Sequence, residues 1–215
     1  MKLQVGSREF DAARIFCIGR NYRAHVKELN DEVPESPIIF CKSPFCLVPP
    51  DQDIAFPTHG SELHHEVEIV ILIGKAGRVQ TKEEADEYIA GVGLGLDLTM
   101  RDVQRNLIAQ GLPWEACKSF ESSAPLGPFA PYPLTLPLSR LEFFCRVNGE
   151  LRQQGWAANM IFGVPELLLA ISKIWALRPG DLIYTGTPAG IGPLHRGDTI
   201  AIGGNFSPES QWRII

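Results

Sequence analysis

The sequence predicts a β-dominated α+β fold with a few short helices. Apolar residues come in short runs bounded by turn formers, as in IFCIG (15–19), VEIVILI (67–73), GVGLGLDL (91–98) and EFFCRV (142–147). The chain carries 20 glycines and 17 prolines in 215 residues, well above the usual combined share of about 12%. That composition suits many turns and short strands better than a helical bundle. No repeat, low-complexity stretch or linker interrupts it, so residues 1–215 read as one domain.

Taken in order, Ile15–Gly19 is a short buried strand, and Asn21–Leu29 is a short helix or an ordered loop. Pro34, Pro37, Pro44, Pro49 and Pro50 force an extended path through IIFCK. Val67–Ile73 is almost continuously apolar after Glu68, the mark of a strand buried on both faces. Thr81 with Glu84 three residues on is a capping-box pattern and predicts a helix to Ile89. GVGLGLDL gives a second strand ending at Asp97. Thr99 and Asp102 repeat the cap signal for a helix to Gln110, which Gly111 stops. Glu142–Val147 is a strand leading into Asn148-Gly149, a hairpin turn signal. Pro165 opens a helix through Trp175. Arg178-Pro-Gly-Asp is a turn, Leu182–Thr185 a strand and Gly186–Gly192 a glycine-rich loop, and Gly197-Asp198 begins the last strand pair.

Composition excludes several function classes. The net charge is −5, with an isoelectric point near 5.6 and no Lys/Arg cluster, so no nucleic-acid partner is expected. No apolar run approaches the length of a membrane span, and the N-terminus has no apolar signal segment. Cys17, Cys41, Cys46, Cys117 and Cys145 form neither a CxxC nor an even framework, which suits reduced thiols and a cytoplasmic location.

Glu66 and Glu68 stand two residues apart where the apolar run begins, so a strand puts both carboxylates on one face. Two like charges that close repel, and a dry setting strengthens the repulsion, so something positive belongs between them. Alone, the pair is equally what two solvent-facing glutamates would give. Asp97, at the end of a second buried strand, tips the reading towards a site. Three acids with no cysteine pair nearby make an all-oxygen donor set, which selects Mg2+, Mn2+ or Ca2+ over Zn2+.

Seven blocks occur in register from about Ile15 to Asp198: GRNYRAHVKE (19–28), PIIFCK (37–42), LHHEVEIVILIGK (63–75), LDLTMRDVQ (96–104), KSF (118–120), VNGELRQ (147–153) and PGDLIYTGTPAGIG (179–192). Together they closely resemble the fumarylacetoacetate hydrolase family, in its short acylpyruvate hydrolase and oxaloacetate decarboxylase branch. The resemblance implies a mixed β-roll of packed sheets, a single catalytic domain, a homodimer, and Mg2+ or Mn2+ held by Glu66, Glu68 and Asp97. It implies that His25 and Glu28, by spacing alone a surface pair on one helical face, form a catalytic dyad on a lid, with Glu28 orienting His25 as the base. It implies that Lys118, otherwise a lysine lying along aromatic residues, stabilises an enolate, that Gln104 holds substrate or water, and that Thr187 contacts the substrate carboxylate. Arg20, Arg101 and Lys42 are further carboxylate-binding candidates, each equally readable as a surface charge. His64 and His65 are expected in supporting roles, and His59 and His195 in none.

The implied reaction is hydrolysis of the C–C bond of an acylpyruvate, a 2,4-dioxo acid, through a pyruvate enolate stabilised by the metal, with oxaloacetate decarboxylation reaching the same enolate. Isomerisation, decarboxylation or keto–enol tautomerisation of a related 2-oxo dicarboxylate is the alternative, and a silent metal-binding domain the non-enzymatic one. The C-terminal TIAIGGNFSPESQWRII departs from the family pattern at Gly203-Gly204 and at an expected turn at Pro208, which puts the edge strand and dimer contact in question.

Overall fold

The computed structural model describes residues 1–215. The first half of the chain runs β1 (Lys2–Val5), β2 (Arg8–Asp11), β3 (Ile15–Gly19), α1 (Arg23–Glu28), β4 (Ile38–Lys42), β5 (Leu47–Val48), β6 (Leu63–His65), β7 (Val67–Ile73), β8 (Ile89–Leu96), β9 (Thr99–Met100) and α2 (Arg101–Ala109). The second half adds α3 (Glu115–Lys118), β10 (Ala124–Pro131), β11 (Glu142–Val147), β12 (Glu150–Trp156), α4 (Val164–Ile174), β13 (Leu182–Tyr184), β14 (Gly192–Leu194), β15 (Thr199–Gly204) and β16 (Ser207–Arg213). A mixed seven-stranded sheet, in the order β4-β3-β13-β7-β8-β10-β5, forms the body. A four-stranded sheet β12-β11-β15-β16, a three-stranded sheet β14-β6-β9 and the hairpin β1-β2 pack around it. This is the β-dominated, curled architecture that the sequence led us to expect.

The central strand β7 is buried along its whole length because both faces of the main sheet are covered. Ile69, Ile71 and Ile73 join Phe143, Ile202 and Leu168 in one core, under the four-stranded sheet and α4. Val70 and Leu72 join Leu3, Leu126 and Tyr184 in a second core on the opposite face. The register of β7 against β8 is what builds the site. Val67 pairs with Leu96 and Glu68 with Gly95. The Asp97 N–H then donates to the Glu66 carbonyl at 2.8 Å, which carries the ladder one step further and sets Asp97 across from Glu66. Side chains directly opposite in a ladder share a face, so the acids at the two strand ends converge.

Glycine keeps that face of β8 open. A Cβ on Gly95 would lie 2.7 Å from the ring of the fully buried Tyr184, and one on Gly93 would lie 2.9 Å from the Pro128 carbonyl oxygen. Asn148 and Gly149 both take positive φ, +53° and +81°, between β11 and β12, the turn that the Asn-Gly pair predicts.

Three local expectations change. No α-helix follows Thr81. The Glu84 carboxylate accepts from the Thr81 N–H at 3.0 Å, half of a capping box, but the chain makes only a 3-10 turn over Ala85–Tyr88 before β8 begins at Ile89. That segment buries only Ala85 and Tyr88, too little of an apolar stripe to hold a helix against the sheet. Thr99 does not cap α2, because its hydroxyl donates to the Asp97 carbonyl at 3.1 Å, and the Asp102 carboxylate instead accepts from the Ser61 N–H and hydroxyl. Pro208 is not a turn residue. Asn205-Phe206 turns the last hairpin, and Pro208 lies inside β16, the edge strand, where its missing N–H costs no ladder bond.

The close approach of Tyr184 to β8 yields a test. Gly95→Ala forces an added methyl against an aromatic ring that has no room to move, and should destabilise the fold by about 1–3 kcal/mol. Urea unfolding checks this, and an unchanged midpoint would mean that β8 and Tyr184 are loosely packed.

Candidate active site

Glu66 and Glu68 flank the first residue of β7, Asp97 follows β8, and Lys118 ends α3. All four are at most 4% exposed. The three acids present ligand oxygens within 4.8 Å of one another. Lys118 Nζ donates to Glu66 Oε2 and to Asp97 Oδ2, both at 2.8 Å. Arg101, the first residue of α2, places its guanidinium on the other oxygen of Glu66 and on the Gln104 carboxamide one turn later. Glu68 receives the Gly186 N–H at 2.7 Å.

These partners drive the two glutamates apart. Burial works against ionisation of Glu66, but Lys118 and Arg101 outweigh it and hold the carboxyl below the usual carboxylate range. Glu68 is pushed well above that range, by burial first and then by the charges of Asp97 and Glu66. Lys118 is pushed up because Asp97 and Glu66 outweigh its burial. A positive group does sit among the acids, as the sequence requires, but it reaches two of the three. Three convergent hard oxygen donors, with Lys118 bonded to Glu66 and Asp97 but not to Glu68, fit a divalent metal ion.

Lys42 takes a place different from the expected one. It is 2% exposed and does not line the cavity beside the acids. Its protons go to the carbonyl oxygens of Leu98 at 3.1 Å, Ser123 at 3.0 Å and Lys118, while Nζ stands 2.8 Å from Asp97 Oδ1. With three protons spent on carbonyls, Asp97 Oδ1 keeps a charged neighbour but no hydrogen bond. Lys42 therefore supports Asp97 and the chain around it, and has no donor left for a substrate carboxylate.

The other candidates line one cavity of about 560 Å³ together with the acids: His25, Glu28, Arg20, Arg101, Gln104, Lys118 and Thr187. His25 lies on α1 and is buried, with Nδ1 3.0 Å from Glu28 Oε2. The other Glu28 oxygen accepts from the Gly190 N–H at 3.0 Å. These two bonds overcome the burial of Glu28 and lower its pKa, so an ionised carboxylate holds the proton on Nδ1 of His25 and leaves Nε2 as the basic atom. Arg20, at φ +59°, pairs with Asp31 just beyond α1 at 2.9 Å. The Thr187 hydroxyl is occupied, donating to the Val67 carbonyl at 2.9 Å and accepting from Gln153 at 2.8 Å. His64 also lines the cavity. Its Nδ1 is buried without a partner, and burial lowers its pKa to about 4. His65 bonds Gln153, His59 bonds the Ala116 carbonyl, and His195 pairs with Asp198. Gln153 and the supporting role of Lys42 have no signature in spacing, since each depends on contacts far along the chain.

A curled mixed sheet with three buried carboxylates where its central strands end, faced by a His–Glu pair and a lysine, defines an enzyme of the fumarylacetoacetate hydrolase family, and the chain belongs to it. Residues 14–208 match the family model described as fumarylacetoacetate (FAA) hydrolase C-terminal. Among its relatives, the mouse oxaloacetate tautomerase FAHD1, mitochondrial, is 43% identical over 88% of this chain and 86% of its own. The Escherichia coli K12 oxaloacetate tautomerase YcgM is 40% identical over 90% and 89%. The crystal structure of fumarylpyruvate hydrolase from Pseudomonas aeruginosa with Mn2+ and pyruvate is 35% identical, covers 100% of this chain and 95% of its own, and superposes with a TM-score of 0.95.

The opposed glutamates give a pH test. Without metal, Glu68 binds a proton above its ordinary value of 4.5. Its contribution to stability is therefore full below that value and is lost as pH rises through the raised one. A divalent cation needs the carboxylate and competes with the proton, so its stabilising effect grows over the same rise. Thermal unfolding between about pH 5 and pH 9 should show wild type losing stability in EDTA relative to Glu68→Gln, with Mn2+ reversing the order. Parallel curves for the two proteins in EDTA would contradict the assignment.

Proposed function

We propose that the chain catalyses the keto–enol interconversion of oxaloacetate. The observation that carries this reading is the shared cavity, in which His25, with Nδ1 held by Glu28, faces the buried acids and Lys118. The two oxaloacetate tautomerases, at 40% and 43% identity over most of their length, support it. Interconversion moves one proton between C3 and the C2 oxygen. His25 takes the C3 proton in one direction and returns it in the other, while solvent supplies or removes the proton on the C2 oxygen. The ammonium of Lys118 stabilises negative charge developing on the C2 oxygen more than it stabilises the neutral carbonyl. Arg101 and Gln104 lie beside the acids to orient the near carboxylate, and Arg20 is the cation available for the distal one. Glu66, Glu68 and Asp97 would hold Mg2+ or Mn2+, which supplies Lewis-acid stabilisation for the same developing charge.

Hydrolysis of acylpyruvates is the second reading, favoured by the close superposition on the fumarylpyruvate hydrolase. It asks His25 to take its proton from water instead of from C3. The two readings separate in one experiment. The loss of enol oxaloacetate is followed by its ultraviolet absorbance with Mg2+ or Mn2+ present, beside product analysis on fumarylpyruvate and other acylpyruvates. Accelerated ketonisation, reduced about 10²–10⁴-fold in His25→Ala, is the expected result. Acylpyruvate cleavage without ketonisation would transfer the assignment to the hydrolase, and neither activity would sink both.

Lys118→Met keeps the side-chain volume and removes the charge. It should lower kcat about 10²-fold with less effect on KM, because the substrate charge that Lys118 faces is greater near the transition state than in the ground state. Wild-type kcat in that variant would remove Lys118 from the chemistry.

A further inference from the structure

The motif VNGELRQ (147–153) ends in a residue that the chemistry above does not use, and the structure gives that residue an unusual setting. Gln153 lies on β12 of the four-stranded sheet and is 1% exposed. Its carboxamide bridges the start of β7 and the 186–192 loop. Oε1 accepts from the Val67 N–H at 3.1 Å and lies 2.9 Å from His65 Nδ1. Nε2 donates to Thr187 Oγ1 at 2.8 Å and to the Pro188 carbonyl at 2.9 Å. The two backbone partners fix which end of the amide is which, since a peptide N–H only donates and a peptide carbonyl only accepts. Two assignments follow. His65 carries a proton on Nδ1, because it faces an acceptor. The Thr187 hydroxyl accepts from Gln153 and so gives its own proton to the Val67 carbonyl. Every polar atom in the bridge is satisfied in one arrangement.

We propose that Gln153 is a positioning residue for the reaction above, setting the separation between the strand that carries Glu66 and Glu68 and the loop that carries Gly186, Thr187 and Gly190. The inference rests on the proposed oxo-acid chemistry. That loop does two things at the site: the Gly186 N–H holds Glu68, and the Gly190 N–H holds Glu28, the partner of His25. It has no slack against β12. Gly190 sits at φ +97°, and a Cβ there would lie 2.2 Å from the carbonyl oxygen of Arg152, the neighbour of Gln153. One neutral side chain thus ties the carboxylate cluster and the basic histidine to a common distance.

The test uses Gln153→Leu, which deletes all four bonds at similar volume, and Gln153→Glu, which keeps the acceptor for Val67 and His65 but loses both donors to the loop. Leu151→Ser, an exposed change on the same strand, controls for general weakening of the hairpin. Four readouts are taken: thermal unfolding, Mn2+ affinity by calorimetry, steady-state kinetics on oxaloacetate, and the ring-nitrogen NMR signals of His65. Gln153→Leu should lose about 10–100-fold in Mn2+ affinity or in kcat at saturating Mn2+, the usual effect of removing a partner that orients ligands. Its His65 should also lose the fixed Nδ1–H state. Gln153→Glu should keep that His65 state and still lower kcat. It also stands as the test protein if the leucine variant does not fold. If both variants keep wild-type Mn2+ affinity and kcat while only the unfolding temperature falls, as in Leu151→Ser, Gln153 is sheet packing and the proposal is overturned. A wild type that does not act on oxaloacetate would instead count against the proposed function, leaving Mn2+ affinity and the His65 signals to decide the role of Gln153.

Discussion

Three carboxylates held within 4.8 Å of one another and shielded from water dominate the electrostatics of this chain. At an effective dielectric of about 20, two unit charges about 5 Å apart repel by roughly 3 kcal/mol, and there are three such pairs. A fold with a net stability of about 5–15 kcal/mol tolerates this only where compensating charge is built in or bound. Lys118 supplies part of it, to Glu66 and Asp97, and Arg101 supplies more to Glu66. Glu68 receives a backbone N–H and remains the acid most in need of a cation. The opposite shifts of neighbouring glutamates are the signature of an incomplete set of charges.

The rest of the architecture serves that cluster. The antiparallel register of β7 and β8 brings Glu66 and Asp97 face to face, and Gly95 leaves room for Tyr184 beneath Glu68. Lys42 ties Asp97 to the carbonyls of Leu98, Lys118 and Ser123, so the chain that delivers Lys118 is clamped to the acid it pairs with. The 186–192 loop reaches from Glu68 to Glu28 and so links the acids to His25. Both faces of the main sheet are packed, which keeps the strand ends from yielding to the repulsion between them.

Much of this was legible in the sequence. Period and turn residues place β3, β7, β8, β11 and the helix opened by Pro165, because those segments bury the faces their patterns advertise. Glu66, Glu68 and Asp97 stand out since acids at the ends of apolar strands are costly without a purpose. Convergence was not legible, for it depends on strand register and not on spacing. The helix expected after Thr81 fails because a capping signal without an apolar stripe does not outcompete an early return to the sheet. Lys42 reads as a free cation until its carbonyl partners, 56 to 81 residues away, are in place. Gln153 is silent for the same reason: its partners come from β6, β7 and the loop after β13.

The central claim is that the three buried acids are arranged around a divalent cation. Anomalous diffraction from crystals soaked in Mn2+ tests it most directly. The account predicts one strong peak about 2.0–2.6 Å from oxygens of Glu66, Glu68 and Asp97 together. Mn2+ found only at exposed acids, with no peak among these three, would contradict it.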